Sequence, residues 1–341
     1  MKPTIRDVAA RAGVSPATVS NALNGRKGVG EETRALVERV AREIDYAYEP
    51  PRALKRNYIR LVVFKRHGLV VMDTQFFMEL MDGIERECHL SGLDMMVSNI
   101  HMEQDGDYLE RVKGICREEC AGILLLATEM HAEDMRLFAA TASPLLVLDS
   151  LFPHLPFNTV AIANYDAGYM ATAHLIRMGH ERIGHITSSA RFQNMGYRRM
   201  GYEAAMRDAG FAQHIDYNLR VTPTIEGAYR DVLAFLKNAP ALPTAYFAAN
   251  DIIAVGCARA LGEMGYALPS DVSLIGMDDL QICQINAPTL STIRVFKREM
   301  GRMAVRRLVE MGDRGAPECV THTQVCVELV ERKSICDLQH N

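Results

Sequence analysis

With 341 residues, 48% of them hydrophobic and 23% charged, the chain exceeds one ordinary domain and has a folded rather than a disordered balance. It holds no run of roughly 20 apolar residues to span a bilayer, no secretory leader, and no Cys-x-x-Cys pair among its eight cysteines, so a cytoplasmic protein with reduced thiols is expected. The net charge of −4 is uneven: residues 1–57 carry 11 Lys and Arg against 7 Asp and Glu, a +4 segment ahead of a −8 remainder, which suits a nucleic-acid module joined to something else.

The first 24 residues hold two short helical patterns around a turn. Ile5, Val8, Ala9 and Ala12 share one face of a helix that Thr4 can cap. Gly13 fits the left-handed position that ends it, Ser15 can cap the next helix, and Pro16 takes that helix's first position, where its missing N–H costs nothing. The second helix runs to Leu23 or Asn24, with Val19, Ala22 and Leu23 inward; a third is predicted over 31–45, with Ala35, Leu36, Val40 and Ile44 inward. Two short helices joined by a tight turn make a helix-turn-helix, whose second helix enters the DNA major groove N-terminus first. Pro16, Ala17 and Thr18 then lie near base edges, with Ser20 and Asn21 on the same exposed side. Asn can hold adenine by two hydrogen bonds, and Ala or a Thr methyl can meet the thymine methyl. The alternative is a three-helix bundle that binds protein.

Beyond residue 60 short apolar runs alternate with amphipathic stretches. Strands are predicted at 61–65, 94–100, 122–127 and 145–149, then at 160–163, 182–188, 245–249 and 272–276. Helices are predicted at 76–91, 107–119, 166–178, 197–209 and 251–265. The alternation implies an α/β fold with parallel sheets, and its two series imply two lobes, with ligands beyond the C-terminal ends of the strands. His180 and His185 are five apart and do not share a helix face as a zinc pair would, and Gly28-Val29-Gly30 follows no strand. No catalytic motif, cofactor site or metal site is expected.

The segment Thr4-Ile5-Arg6-Asp7-Val8-Ala9, with Ala12-Gly13-Val14-Ser15 and Thr18-Val19-Ser20, resembles the headpiece of the lac repressor family. The likeness continues in order through Asp166-Ala167-Gly168, His174-Leu175, Met178-Gly179-His180, Arg198 with Gly201-Tyr202, Asn250-Asp251 with Gly256, and Gly276-Met277-Asp278-Asp279. It closes with Thr292-Ile293-Arg294, Glu299-Met300-Gly301 and Glu328-Leu329-Val330, so it spans essentially the whole chain. It implies a helix-turn-helix headpiece (1–46), a hinge (47–59) and a periplasmic-binding-protein-like core (60–341). Lobe 1 would take 60–162 plus 292–320, and lobe 2 would take 163–291 plus 321–341. It also implies a homodimer on a pseudo-palindromic operator, with an effector, expected to be a sugar or related small metabolite, changing the relation of the lobes. No leucine heptad follows the last motif, so a dimer rather than a tetramer is expected.

By this resemblance Pro16, Ala17 and Asn21 read bases, Asn21 standing where related repressors commonly carry Arg, while Thr4, Thr18 and Ser20 meet phosphates. Leu54 matches the leucine that wedges into the minor groove if one residue is deleted; without the gap that place falls on Lys55. Pro50 and Pro51 can open a hinge helix or hold an extended linker. Arg198 and Asp278 match the strongest effector positions and can grip vicinal hydroxyls, or else pair with each other or with neighbours as an ordinary ion pair. Asn250 fits the same site, and Asp149 is either a further ligand group or a strand-end cap. Phe76 and Tyr229, with Phe77 behind them, are aromatic walls or simply core. A purine-like corepressor and a solely small-molecule-binding protein stand as alternatives to the sugar-relieved repressor.

Overall fold

The computed structural model describes residues 3–23, 29–44, 46, 57–71, 75–212, 214–313 and 319–339, apart from the side chains at 42 and 313. The chain divides into two compact units, 1–57 and 58–341. The Leu54 wedge, its Lys55 alternative and the Pro50-Pro51 hinge fall outside the described residues.

In the first unit α1 (Ile5–Ala12), α2 (Pro16–Leu23) and α3 (Glu31–Glu43) pack around Val8, Val19 and Val37, each fully buried. Gly13 ends α1 at φ 66° and ψ 28°, a conformation that a β-carbon would strain. Ser15 caps α2 by accepting the amide of Thr18 at 3.0 Å. Thr4 caps α1 in a capping box with Asp7, and its amide and its hydroxyl both donate to the Asp7 carboxylate, each at 2.7 Å. These bonds, the hydroxyl's first, hold the Asp7 carboxyl below its usual range. In α3 the inward face holds Val37, Val40 and Ala41, whereas Ala35, expected inward, is exposed. The face is rotated because Val37 rather than Ala35 fills the space between α1 and α2.

The second unit is α/β with two six-stranded sheets. The chain first lays down β1 (Tyr58–Lys65), α4 (Gln75–Leu90), β2 (Asp94–His101), α5 (Tyr108–Arg117), β3 (Gly122–Leu126), β4 (Leu145–Leu148) and β5 (Asn158–Ile162). It crosses to the other lobe with α6 (Asn164–Arg177), β6 (Ile183–Ser188), α7 (Gln193–Asp208), β7 (Leu219–Val221), α8 (Ile225–Leu236), β8 (Ala245–Ala248), α9 (Asp251–Glu263), β9 (Ser273–Asp278), α10 (Ile282–Ile285) and β10 (Ser291–Val295). It returns for α11 (Lys297–Asp313) and β11 (His322–Val325), then crosses a third time into β12 (Val327–Val330). The sheet orders are β11-β5-β4-β3-β1-β2 and β12-β10-β9-β8-β6-β7, parallel throughout except for β12 against β10.

The exchange of the last strands corrects the expected lobe boundaries. The resemblance implies that 292–295 belong to lobe 1, but β10 lies in the second sheet, pairing Ser291 with Ile275 of β9 and Thr292 with Val330 of β12. Conversely, 322–325 belong to lobe 1, with His322 opposite Thr159 of β5. Ser291, Thr292 and Ile293 are fully buried, which a central strand between two neighbours requires. All eight predicted strands and all five predicted helices of the body are present; β7, β10, β11, β12, α8, α10 and α11 are additional.

Alternate residues of β1 face opposite cores: Leu61 and Val63 join α4 and α11, while Val62 and Phe64 join α5. Helices therefore cover both faces, as the continuous apolar strands require. Burying Phe64 contributes roughly 2–3 kcal/mol. Among the described residues no helix is long and apolar enough to cross a membrane.

Candidate functional site

In the headpiece Pro16 and Ala17 are exposed at the start of α2, Thr18, Ser20 and Asn21 are half-buried on that helix, and Thr4 is exposed at the start of α1. The Thr4 hydroxyl already donates to Asp7, so a phosphate would have to compete for it. Thr4, Pro16, Ala17 and Thr18 thus lie at two helix starts, while Ser20 and Asn21 follow further along α2.

In the body, strand ends converge on a cavity of about 300 Å³. Asp149 follows β4, Thr128 lies two residues beyond β3, Asp278 ends β9, and Asn250 caps α9 two residues beyond β8. Each sits at a C-terminal strand end, where parallel α/β sheets bind ligands. From the helices come Phe76 and Phe77 in the first turn of α4, and Asn194, Met195 and Arg198 on one side of α7. Phe76 meets Phe77 edge-on, with ring centroids 5.0 Å apart.

Arg198 is 5% exposed, and its charge is met by neutral oxygens: Nε donates to Asn164 Oδ1 at 2.8 Å and Nη1 to the Ala249 carbonyl at 2.5 Å. Its place depends on α6, where Gly168 lies against the Arg198 backbone. A β-carbon on Gly168 would overlap the Arg198 carbonyl, so only glycine lets the two helices approach this closely. The expected alternative, a consumed Arg198–Asp278 ion pair, is not what anchors the guanidinium.

Asp149 is buried at φ 68° and accepts the Thr128 hydroxyl at 2.6 Å on Oδ2, while its carbonyl accepts from Asn194 Nδ2 at 2.6 Å. Asp278 is buried at φ 117°, and its carbonyl accepts from Lys297 Nζ at 2.6 Å. Such backbones cost on the order of 1–3 kcal/mol each, and recur where geometry serves a site. Burial pushes the Asp149 carboxyl up to about 7, against the pull of Thr128 and Arg198; burial also raises Asp278, opposed by Arg198 and Lys297. Beneath them Asp251, fully buried, is raised to about 7 by burial and then by Asp278; it accepts the Thr292 hydroxyl at 2.6 Å and the Leu280 amide at 2.9 Å. Asp149 Oδ1, Asn194 Oδ1 and Asp278 Oδ1 are buried with no hydrogen-bond partner among the described residues.

Five of the six expected ligand residues (Phe76, Asp149, Arg198, Asn250 and Asp278) therefore line one cavity, as does Phe77. Tyr229 does not. Its hydroxyl donates to Glu263 at 2.5 Å and its ring lies 4.0 Å beneath Arg259, between α8 and α9. The Asn250 side chain is committed in part, since Oδ1 accepts the Ile253 amide at 2.9 Å as the cap of α9. Thr128, Asn194 and Phe192 were missed, although Asn194 stands four residues before Arg198 on the same helix face. His185 lies between Tyr202 and Phe247, and burial first, then Arg199 and Arg198, drive it down to about 3.

Residues 4–48 match the model of a family described as bacterial regulatory proteins, lacI family, and residues 172–335 match the periplasmic binding protein-like domain. The HTH-type transcriptional repressor PurR of Haemophilus influenzae (strain PittEE) is 30% identical over 349 residues, covering 97% of this chain and 98% of the relative. The ribose operon repressor of Haemophilus influenzae is 31% identical over 311 residues, covering 90% of this chain and 91% of the relative. Among solved structures, a lac repressor dimer bound to operator and the anti-inducer ONPF superposes with a TM-score of 0.70 at 23% identity, covering 98% of this chain and 100% of that one. At that identity the likeness concerns the fold alone.

Proposed function

This chain belongs to the LacI family of bacterial regulatory proteins, and we propose that it is a cytoplasmic, dimeric repressor whose hold on operator DNA is relieved by a neutral, hydroxyl-bearing small molecule of the sugar class. The observation that carries the ligand class is the trio of buried, unpartnered acceptors, Asp149 Oδ1, Asn194 Oδ1 and Asp278 Oδ1, around one cavity with Arg198. Acceptors held out of water call for donors, and ring hydroxyls supply them in pairs. Phe76, Phe192 and Leu280 offer apolar surface for the face of a ring. Two carboxylates to one guanidinium at the wall disfavour an anionic ligand such as a sugar phosphate. The resemblance to a ribose operon repressor accords with this class.

Control of DNA binding requires the ligand to favour one arrangement of the lobes, since equal affinity for both would shift nothing. A second copy of the chain would bring two headpieces to a pseudo-palindromic operator. Met96 and Val97 on the edge strand β2, Leu90 at the end of α4 and Ile285 on α10 are exposed apolar side chains suited to that contact. The likeness to PurR favours a second reading, in which a purine-like ligand tightens DNA binding instead; its N–H groups would meet the same acceptors.

A thermal-shift panel on the full chain tests the ligand class, with neutral mono- and disaccharides, their phosphates, purine bases and nucleosides. A ligand at 100 times its Kd adds about 2.7 kcal/mol to the native state. The expected result is a neutral sugar whose effect vanishes in Arg198→Ala while operator binding survives. A sugar phosphate that outperforms its neutral parent would sink the ligand class. A hit that raises operator affinity selects the corepressor reading.

A further inference from the structure

Two polar residues follow β3. The first, Thr128, donates to Asp149 in the cavity at 2.6 Å. The second, Glu129, has a side chain with no exposure and serves another segment. Its Oε2 accepts the amides of His67 (3.1 Å) and Gly68 (2.8 Å), and its Oε1 those of Val70 and Val71 (2.9 Å each). The amide between them, Leu69, donates to His67 Nδ1 at 3.2 Å. Five consecutive backbone N–H groups are thus satisfied, four of them by one carboxylate. Gly68, at φ 69°, lets the chain turn its amides inward in this way. Burial alone would raise the Glu129 carboxyl, but the Val71, Val70 and Gly68 amides, with His67 nearby, hold it below its usual value.

We propose that Glu129 is a positioning residue, which holds 66–71 as a preformed wall of the cleft and ties that wall to the second lobe. Leu69 and Val70 line the cavity on the first lobe's behalf. Val70 packs against the second lobe's apolar cluster around Phe192 and Met195, and the His67 ring meets Phe192 edge-on at 5.2 Å. Phe192 is the N-cap of α7, the helix that carries Asn194 and Arg198. The route from Glu129 to the effector-gripping helix is therefore the anchored segment, then one ring contact. A segment six residues long with no helix or strand of its own would otherwise lose entropy on closing over a ligand; the carboxylate meets that cost in advance. The proposal takes the cleft to be the effector site, as proposed above.

Hydrogen exchange on the full chain without added effector tests it. Glu129→Gln keeps the size but turns an N–H group towards amides that need an acceptor. Exchange at 67–71 is expected to rise about 10-fold or more, and exchange in the first turns of α7 (193–198) to rise with it, while 273–278 stays unchanged. His67→Ala is expected to loosen 193–198 in the same direction, and Glu129→Asp, which keeps the charge, to restore part of the protection. Unchanged exchange at 67–71 overturns the proposal. Loosening of 67–71 with 193–198 unmoved reduces Glu129 to a local brace and also overturns the tie between lobes. Should Glu129→Gln loosen 273–278 as well, the fold is lost and Glu129→Asp decides, partial loosening of both segments supporting the proposal and none refuting it. No ligand enters these readings, so a cleft that takes no sugar would fail the thermal-shift panel and leave this result standing.

Discussion

Replacing Asp149 by Asn is expected to stabilise the second unit, by an amount that grows with pH, while weakening effector binding. In the native state the carboxyl titrates at about 7, against an ordinary 3.8. That difference of about 3 units is worth roughly 4 kcal/mol at 1.36 kcal/mol per unit. Because the folded carboxyl ionises later than the unfolded one, the native state holds an extra proton between about pH 4 and 7. Its stabilising contribution is full below that window, falls as pH rises through it and is lost above it. Asn cannot ionise, and its one oxygen can still accept the 2.6 Å bond from Thr128. Somewhat over a third of the effect is already in place at pH 5, so the variant's relative stability should improve by roughly 2–3 kcal/mol between pH 5 and pH 8. For a unit of about 280 residues this is about 4 °C in melting temperature. Thermal melts of the parent and the variant at the two pH values, without effector, give the difference directly. Equal offsets at pH 5 and pH 8 would refute an elevated Asp149 and, with it, the view that the cavity stores the cost of an under-satisfied carboxylate.

Three further outcomes are expected. Asn21→Ala should weaken operator binding by roughly 1–3 kcal/mol and relax selectivity at one base pair, leaving the salt dependence unchanged; a changed salt slope in a binding titration would make Asn21 a phosphate contact instead. Gly168→Ala should separate α6 from α7 at Arg198 and cost effector affinity without touching the ligand, and calorimetric titration showing parental affinity would remove that helix contact from the site's supports. Sedimentation at micromolar concentration should show a dimer, with Val97→Glu shifting it towards monomer; a clean monomer or tetramer of the parent chain contradicts the assembly.

The headpiece was legible because its signals are local. Thr4, Gly13, Ser15 and Pro16 each answer a rule about one helix end, and the structure puts them at those ends. Asp149 was legible for a similar reason, as a strand end that a parallel sheet presents to ligands, whereas Asp278 came from the family resemblance. What stayed hidden depends on contacts distant in sequence. The strands β11 and β12 have four residues each, separated only by Cys326, and nothing in their pattern says which sheet each will join. Tyr229 was placed in the cleft from residue type, but α8 turns it towards Arg259 and Glu263 of α9. Glu129 gave no signal at all, because four of its partners are backbone amides about 60 residues away.

The threefold crossing between the lobes bears on how the protein is made. During synthesis the first sheet has five of its six strands by residue 162, yet its remaining edge, β11, and its covering helix α11 arrive only after residue 296. The second sheet waits still longer, since β12 ends at Val330. Until then β5 and β10 present unpaired edges, the kind of surface that joins neighbouring chains into aggregates. Residues 322–339, paired backbone and tail, thus act as a common closure for both lobes: loss of the chain beyond 313 would not trim one lobe but leave two sheets open at once, and a nascent chain stalled there would depend on chaperones rather than on either half folding alone.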